Sequence, residues 1–251
     1  MRGNDEFRVF RNTHLMGTIG LFNLVISESN YESVFDFSGE GADKEPFARR
    51  IARRLRPWFW PRIDDAIGWV RAVEGSRWSP SIYLESKPRP LLQRLLDTSS
   101  PAESVLDLGC NNGSILNMLL ENGYTKLYGV DAGRAALQMF SHRYPETFSV
   151  TEVSHDLFQR YLSKCSDQSF DIVHSNGATI ELVHPSYPVV SELCRVTRRR
   201  IYVLIHERGH GYPRNYIHQF ESQGFRLAYC ERPIDLVNCP SLLQFDRILD
   251  Q

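Results

Sequence analysis

The five residues His206-Glu-Arg-Gly-His210 have the spacing of a zinc-protease motif. In that motif two histidines four residues apart lie on one face of a helix, and the glutamate acts as a base. Here the apolar, β-branched run Arg200–Ile205 predicts a strand that leads straight into His206. The glycines and the proline close behind it also disfavour a helix. We therefore expect no zinc-protease site here. We also expect no catalytic metal, because Glu207 is the only acid near the ends of the predicted strands 170–174 and 200–205 that could serve as a ligand.

A second stretch, Val105-Leu-Asp-Leu-Gly-Cys-Asn-Asn-Gly113, places an acid near the end of a predicted strand and two glycines before a predicted helix. Glycines let the backbone approach a ligand closely at a helix N-terminus. A dinucleotide fingerprint reads G-x-G-x-x-G and binds a pyrophosphate. Here the spacing is G-x-x-x-G, and the Asp107 carboxylate would repel a pyrophosphate. It suits a ligand with an ammonium and a sulfonium group, which are the charges of S-adenosylmethionine.

The elements around these residues alternate between strand and helix from about residue 90 onwards. Such alternation predicts βαβ units and a parallel sheet that is buried on both faces. The predicted strands are 104–108, 127–130, 148–153, 170–174, 200–205, 224–230 and 243–249, and the predicted helices are 91–96, 114–122, 134–143, a short one after Asp156, 188–197 and 214–223.

With these motifs the chain resembles the class I S-adenosylmethionine-dependent methyltransferases over roughly residues 90–250. The family's first motif usually reads D-x-G-x-G-x-G, and the chain matches it except that Asn111 replaces the middle glycine. Asparagine tolerates a positive φ better than most residues, so we expect the turn to persist. The second motif, Tyr128–Asp131, ends in an acid 22 positions after Gly109. The resemblance implies that this acid binds both ribose hydroxyls.

Two further motifs of the family follow in order. In Ser154–Leu157, Asp156 would bind the adenine amino group and the Leu157 amide a ring nitrogen. Phe170–Gly177 would be the central strand that ends facing the transferred methyl group. The resemblance implies S-adenosylmethionine as cofactor and S-adenosylhomocysteine as product. The residues assigned to the cofactor are Asp107, Gly109, Cys110, Asn111, Gly113, Asp131, Ala132, Asp156, Leu157, Ser175 and Asn176, with Tyr83 as a covering aromatic.

The resemblance also implies an α/β fold with a doubly wound sheet of seven strands, mostly parallel, whose last strand is antiparallel. This methyltransferase domain would occupy residues 91–251. Residues 1–90 would form an N-terminal cap that shapes the acceptor pocket. One departure from the family is Arg198-Arg199-Arg200, which replaces the usual Lys-Pro-Gly-Gly turn before the fifth strand. We expect it to change a turn rather than the fold.

A base is the remaining requirement of the chemistry. Methyl transfer is an in-line displacement, so the enzyme supplies alignment, plus a base if the acceptor is a hydroxyl or a protonated amine. The acceptor meets the cofactor beyond the carboxyl ends of the strands. His206, directly after the fifth strand, is the first candidate for this base, with His184 and Glu207 behind it. For each histidine, a hydrogen bond to a loop is an equally good interpretation.

Composition narrows the class of protein further. A net charge of −1 favours neither nucleic acid nor an anionic membrane as partner. The five cysteines are scattered and odd in number, which is typical of reduced thiols in a cytoplasm. The sequence starts without an apolar signal-peptide core, and no stretch has the length of a membrane span. We therefore expect a cytoplasmic protein with no membrane partner.

Together these features favour a methyltransferase with a small-molecule acceptor. They favour a hydroxyl group as the acceptor over a nitrogen or a carbon atom. The acceptor could be a natural product, a sugar or a lipid-linked intermediate. An RNA or protein acceptor finds support only in the basic run Arg49–Arg56 beside Trp58 and Trp60, and the near-neutral charge argues against it. A non-catalytic S-adenosylmethionine-binding module is an alternative of another class. The G-x-x-x-G spacing disfavours a nicotinamide oxidoreductase. Monomer and homodimer both stay open.

Overall fold

The computed structural model describes residues 90–176, 180–183, 187–205, 214–232 and 241–248, which form a seven-stranded sheet with helices on both faces. The strand order is β3-β2-β1-β4-β5-β7-β6, in which β1 to β5 pair in parallel and β7 runs antiparallel to both neighbours. This confirms the predicted fold class. The elements are α1 (Pro90–Thr98), β1 (Val105–Leu108), α2 (Ser114–Glu121), β2 (Leu127–Asp131), α3 (Arg134–Arg143), α4 (Pro145–Val150), β3 (Glu152–His155), α5 (Phe158–Lys164), β4 (Phe170–Asn176), a 3₁₀ turn (Ile180–Leu182), α6 (Val189–Val196), β5 (Thr197–Ile205), α7 (Tyr216–Glu221), β6 (Phe225–Glu231) and β7 (Ser241–Arg247).

Two apolar clusters, one on each face of the sheet, hold the layers together. Helices α1, α2 and α3 pack on one face, where residues such as Leu95, Leu116 and Phe140 are buried. Helices α5, α6 and α7 pack on the other face, where Leu193 and Phe220 are buried. A strand covered on both faces must be apolar at successive positions, which explains why the central strands read as continuous hydrophobic runs.

The strand order reverses direction between β1 and β4. The chain moves from β1 outward to β2 and β3, and then returns to place β4 on the other side of β1. In open α/β sheets, ligands bind in the crevice beyond the carboxyl ends of the strands at such a reversal. The ends of β1, β2 and β4 therefore define the place where a site is expected.

One predicted strand is wrong in its extent. Residues 148–153 were expected to form a strand, but α4 occupies Pro145–Val150 and β3 is limited to Glu152–His155. Pro145 stands at the start of α4 and Glu146 in its first turn, which are both favourable positions in a helix. The β-branched residues of this stretch suggested a strand, but the signals at the helix start decide the structure.

The basic run before the fifth strand also differs from expectation, because it lies within β5 rather than in a turn. Arg198 Nη1 is 2.8 Å from Asp171 Oδ1, and Arg200 Nη1 is 2.9 Å from Glu103 Oε1. Glu103 is buried at the end of the sheet opposite the crevice. The arginines thus extend β5 by pairing with acids at this end, and the fold is unchanged, as predicted.

The proposed cap, residues 1–90, lies outside the described residues except for Pro90, and Tyr83 lies outside them too. Among the described residues, no helix has both the length and the apolar character required to cross a membrane.

Candidate active site

The turn after β1 is built from three residues with positive φ. Gly109 has a φ of 88°, Asn111 of 48° and Gly113 of 71°. The Gly109 and Cys110 amides donate to the Val130 carbonyl at 2.9 and 3.1 Å, which ties the turn to β2. Asn111 adopts the left-handed conformation that replacement of the middle glycine requires, as the sequence predicted. The loop therefore curls back over the ends of β1 and β2.

Gly113 is needed for a second reason, which is the closeness of α3. A Cβ atom at this position would lie 2.2 Å from Phe140 Cδ2, and Phe140 is fully buried. No real Cβ makes such a contact, so only glycine allows the turn to pack on this ring. Asn112, next to it, is 1% exposed and accepts a hydrogen bond from the Ser114 amide at the start of α2.

The acid at the end of β2 is held against this turn. Asp131 Oδ2 accepts from the Asn111 amide at 2.8 Å, and Oδ1 accepts from the Gly133 amide at 2.7 Å. Burial raises the pKa of Asp131, and these two backbone hydrogen bonds act against that rise. Each carboxylate oxygen has a second lone pair, so the group can also accept two hydrogen bonds from a vicinal diol.

The acid near the end of β1 has a partner that the sequence did not suggest. Asp107 is 2% exposed, and its Oδ1 lies 3.5 Å from Nδ1 of His174, which is 0% exposed. The two residues face each other in the parallel register of β1 and β4. His174 follows the apolar residues Ile172 and Val173, so only knowledge of the strand register could have paired it with Asp107.

The third motif has its own polar contacts. Asp156 Oδ1 accepts from the Leu157 amide at 2.8 Å and lies 2.9 Å from Arg160 Nε, while Oδ2 lies 2.7 Å from Lys164 Nζ. Burial acts to raise the pKa of Asp156, but the bonds to Lys164 and Leu157 outweigh it and lower that pKa. The Asp156 carboxylate and the Leu157 amide, the two groups expected to bind adenine, are therefore hydrogen-bonded to each other, and an adenine ring would compete with this contact.

The other residues expected around the cofactor lie at the same edge. The Ala132 carbonyl is 3.1 Å from His155 Nε2. Cys110 is buried, and burial together with the nearby charges of Asp131 and Asp107 raises the pKa of its thiol, which stays neutral. Ser175 is 1% exposed, and in the described part of the chain its hydroxyl has no hydrogen-bond partner. Asn176, which ends β4, is half-buried.

The three predicted catalytic residues, His206, His184 and Glu207, lie outside the described residues. What the structure gives is the end of β5 at Ile205, directly before His206. A search of the described ranges finds no group of three or more histidine, cysteine or acidic side chains that could hold a metal. The prediction about the zinc-protease spacing stays a prediction, because His206–His210 are themselves outside these ranges.

Comparison with known proteins agrees with this geometry. A family model described as a methyltransferase domain matches residues 105–200, from β1 into β5. No curated protein matches the chain in a sequence search.

Several solved structures share the fold. Magnesium protoporphyrin IX methyltransferase from Synechocystis PCC 6803 is 15% identical with a TM-score of 0.58, over 75% of this chain and 99% of that one. The 1,6-didemethyltoxoflavin-N1-methyltransferase of Burkholderia thailandensis is 15% identical with a TM-score of 0.56, and the match covers 74% of this chain and 87% of that one. Geranyl diphosphate C-methyltransferase from Streptomyces coelicolor A3(2) is 12% identical with a TM-score of 0.51, and the match covers 62% of this chain and 77% of that one.

The family model and the sheet agree on the same part of the chain. The model spans the glycine turn, the acid that ends β2 and the strand β4, and these meet at the reversal of the strand order. Residues 105–200 therefore match a methyltransferase domain, and the sheet has the fold that the solved methyltransferases share.

Proposed function

We propose that the protein transfers a methyl group from S-adenosylmethionine to a hydroxyl group of a small molecule and releases S-adenosylhomocysteine. The observation that carries the cofactor is the Asp131 carboxylate, which two backbone amides hold beside the Gly109–Gly113 turn. One carboxylate with a free lone pair on each oxygen suits the two ribose hydroxyls. The similar structures with bound S-adenosylmethionine or S-adenosylhomocysteine support this assignment.

The buried acid Asp107 extends the cofactor site towards the methionine part of the ligand. It lies two positions before Gly109, and its charge is nearly excluded from water. A buried carboxylate attracts an ammonium group strongly because little solvent screens the pair. Asp107 thus favours a cofactor with a cationic amino-acid part over one with a pyrophosphate.

A small-molecule acceptor is supported by the names of the similar structures. Their printed acceptors are a magnesium porphyrin, a toxoflavin precursor and geranyl diphosphate. Two of those names specify transfer to nitrogen or carbon, so the hydroxyl in our proposal rests on the chemistry of this chain. His206 follows the last residue of β5, and a positioned imidazole is suited to accept a hydroxyl proton near neutral pH.

Calorimetry with S-adenosylhomocysteine tests the cofactor. The wild-type protein should bind it, and Asp131→Ala should bind it ~10²–10⁴-fold more weakly, because two hydrogen bonds to a charged group at about 1.5–3 kcal/mol each are lost. Asp167→Asn, which changes an exposed acid paired with Arg195, should bind as the wild type does. Tight binding of NADH without binding of S-adenosylhomocysteine would refute the assignment.

A product screen tests the acceptor. The protein is incubated with labelled S-adenosylmethionine and a mixture of small metabolites, and mass spectrometry identifies molecules that gain one methyl group. NMR then locates the methyl, which we expect on oxygen. His206→Ala should keep the affinity for S-adenosylhomocysteine and lower turnover roughly 10²–10⁴-fold, the usual contribution of a positioned base. Methylation at nitrogen or carbon, or normal turnover of His206→Ala, would contradict the respective part of the proposal; His184→Ala would be tested next.

A further inference from the structure

The start of α5 lies at the crevice edge of the sheet, directly after β3. Strand β3 is parallel to β2, and β2 is parallel to β1, so all three strands end at this edge. Helix α5 begins at Phe158, close behind the end of β3. Ligands of open α/β sheets bind at this edge. Within residues 156–159 the polar side chains are those of Asp156 and Gln159, so these two can meet a ligand here.

The Asp156 carboxylate already has most of its hydrogen bonds. Its Oδ1 accepts from the Leu157 amide at 2.8 Å and lies 2.9 Å from Arg160 Nε, and its Oδ2 lies 2.7 Å from Lys164 Nζ. These contacts use three of the about four lone-pair positions of a carboxylate. The two cations also compensate its charge. A neutral amino group therefore gains little from Asp156, and the single hydrogen of the Leu157 amide is already donated.

Gln159, in the first turn of α5, is in the opposite condition. Its Oε1 atom is buried, and within the described ranges no donor forms a hydrogen bond to it. A buried acceptor without a donor is unfavourable, because it has lost its hydrogen bonds to water. A glutamine amide carries an acceptor and two donors in one plane, which matches the amino group and the adjacent ring nitrogen of adenine.

The surroundings of Gln159 suit a flat base. The Tyr187 hydroxyl lies 3.5 Å from the Gln159 carbonyl oxygen, and Tyr187 belongs to the chain between β4 and α6. Gln159 therefore lies where the chain that follows β3 meets the chain that follows β4. Phe158 and Tyr187 are both partly buried aromatic residues beside it. Aromatic rings pack well on the faces of another planar ring.

We propose that the Gln159 side chain, rather than Asp156, recognises the adenine of the cofactor. Its Oε1 accepts from the amino group, and its Nε2 donates to the adjacent ring nitrogen. This inference rests on the proposed function, because it assigns one part of the S-adenosylmethionine site. Asp156 then has a structural role, which is to join the start of α5 to Arg160 and Lys164.

Two ligands test which side chain reads the amino group. One is S-adenosylhomocysteine, and the other is its 6-deamino analogue, in which a hydrogen replaces the amino group. By calorimetry the wild type should prefer S-adenosylhomocysteine roughly 5–150-fold, which is the effect of leaving a buried acceptor without its donor. Gln159→Leu should bind the two ligands with nearly equal affinity. Asp156→Ala should keep the wild-type ratio of the two affinities.

Stability measured without ligand separates recognition from a structural role. Gln159→Leu should be at least as stable as the wild type in urea unfolding, because an apolar group of similar size replaces an acceptor that has no donor. Gln138→Leu makes the same exchange at an exposed position of α3 and should keep the wild-type preference between the ligands. Gln159→Met, with the same expected outcome, replaces Gln159→Leu if circular dichroism shows that the latter does not fold.

Every result decides the matter. If the Gln159 variant keeps the preference, if it is less stable than the wild type, or if Asp156→Ala loses the preference, the role of Gln159 is refuted while the cofactor assignment stands. The same conclusion follows if the wild type binds both ligands equally. If the wild type does not bind S-adenosylhomocysteine, the proposed function is refuted and this inference with it.

Discussion

Replacement of Gly113 by alanine tests how the Gly109–Gly113 turn is held against α3. The change has two consequences at once. The residue has a φ of 71°, which an L-residue rarely adopts, and the new Cβ would lie 2.2 Å from the Phe140 ring. Gly224 offers a matched control, because its φ is 79° but nothing lies within 4 Å of a Cβ built there. The two variants share the backbone strain and differ in the collision.

The expected sizes follow from these two terms. A left-handed alanine costs about 1–2 kcal/mol of the free energy of unfolding in both variants. The collision adds about 1–3 kcal/mol at Gly113 only, as when an extra group is forced into a packed core. The loss of glycine's freedom in the unfolded chain is the same in both and cancels in the comparison. Gly113→Ala should therefore be less stable than Gly224→Ala by about 1–3 kcal/mol.

Urea unfolding followed by circular dichroism measures both free energies, and calorimetry measures the affinity for S-adenosylhomocysteine. Gly113→Ala should also bind S-adenosylhomocysteine more weakly, because the collision between the new Cβ and the Phe140 ring is removed only if the turn moves away from β2. Gly224→Ala should bind normally. In the double variant Gly113→Ala/Phe140→Leu, the loss should be smaller than the sum of the two single losses, since the residues touch. Equal stability of the two alanine variants would refute the collision and leave only the strain.

Two further predictions concern the end of the sheet opposite the crevice. Burial acts to raise the pKa of Asp171, but hydrogen bonds from Ser104 and Arg198 outweigh it and lower that pKa. The ionised carboxylate therefore stabilises the fold at neutral pH, and this contribution is lost as the pH falls below about 4. Thermal melts of Asp171→Asn should show a smaller decrease in melting temperature over this pH range than the wild type, and an identical decrease would contradict the prediction. Glu103→Gln weakens the buried pair with Arg200 and should lower the free energy of unfolding, measured in urea, by about 1–3 kcal/mol. Arg199→Gln is the control, because this arginine is 58% exposed and its loss should change that free energy by less than about 0.5 kcal/mol. Equal changes in the two variants would contradict the prediction.

Much of this architecture could be predicted because it depends on local signals. Strands buried on both faces read as apolar runs, and the glycine turn and the acid that ends β2 have a fixed spacing. The sheet and the position of Asp131 beside the turn therefore followed from the sequence, whereas its role in binding a cofactor stays a prediction. The positive φ of Asn111 followed from its residue type. The α4 helix was missed because the β-branched residues of 147–150 competed with the helix start at Pro145.

What could not be predicted depends on contacts between distant parts of the chain. His174 and Asp107 are 67 positions apart, and only the register of β4 on β1 brings them together. The same holds for Arg200 and Glu103, whose pairing converts an expected turn into the start of β5. Hydrophobic periodicity places residues on a face of a strand, but it contains no information about which strand lies beside it. The choice among His206, His184 and Glu207 stays a prediction.

The position of β7 in the sheet sets an order in which the protein can assemble during synthesis. Strands β1 to β5 require only residues 105–205 to form a continuous parallel unit, which already contains the ends of β1, β2 and β4. Strand β6 is made before β7, yet its hydrogen-bonded neighbour in the sheet is β7. Before Ser241–Arg247 have been made, the edge of β5 that pairs with β7 lacks its partner strand among the described elements, and an unpaired strand edge is a template for association with other chains. We therefore expect slow translation of the last strand to favour aggregation even though the crevice residues have already been made.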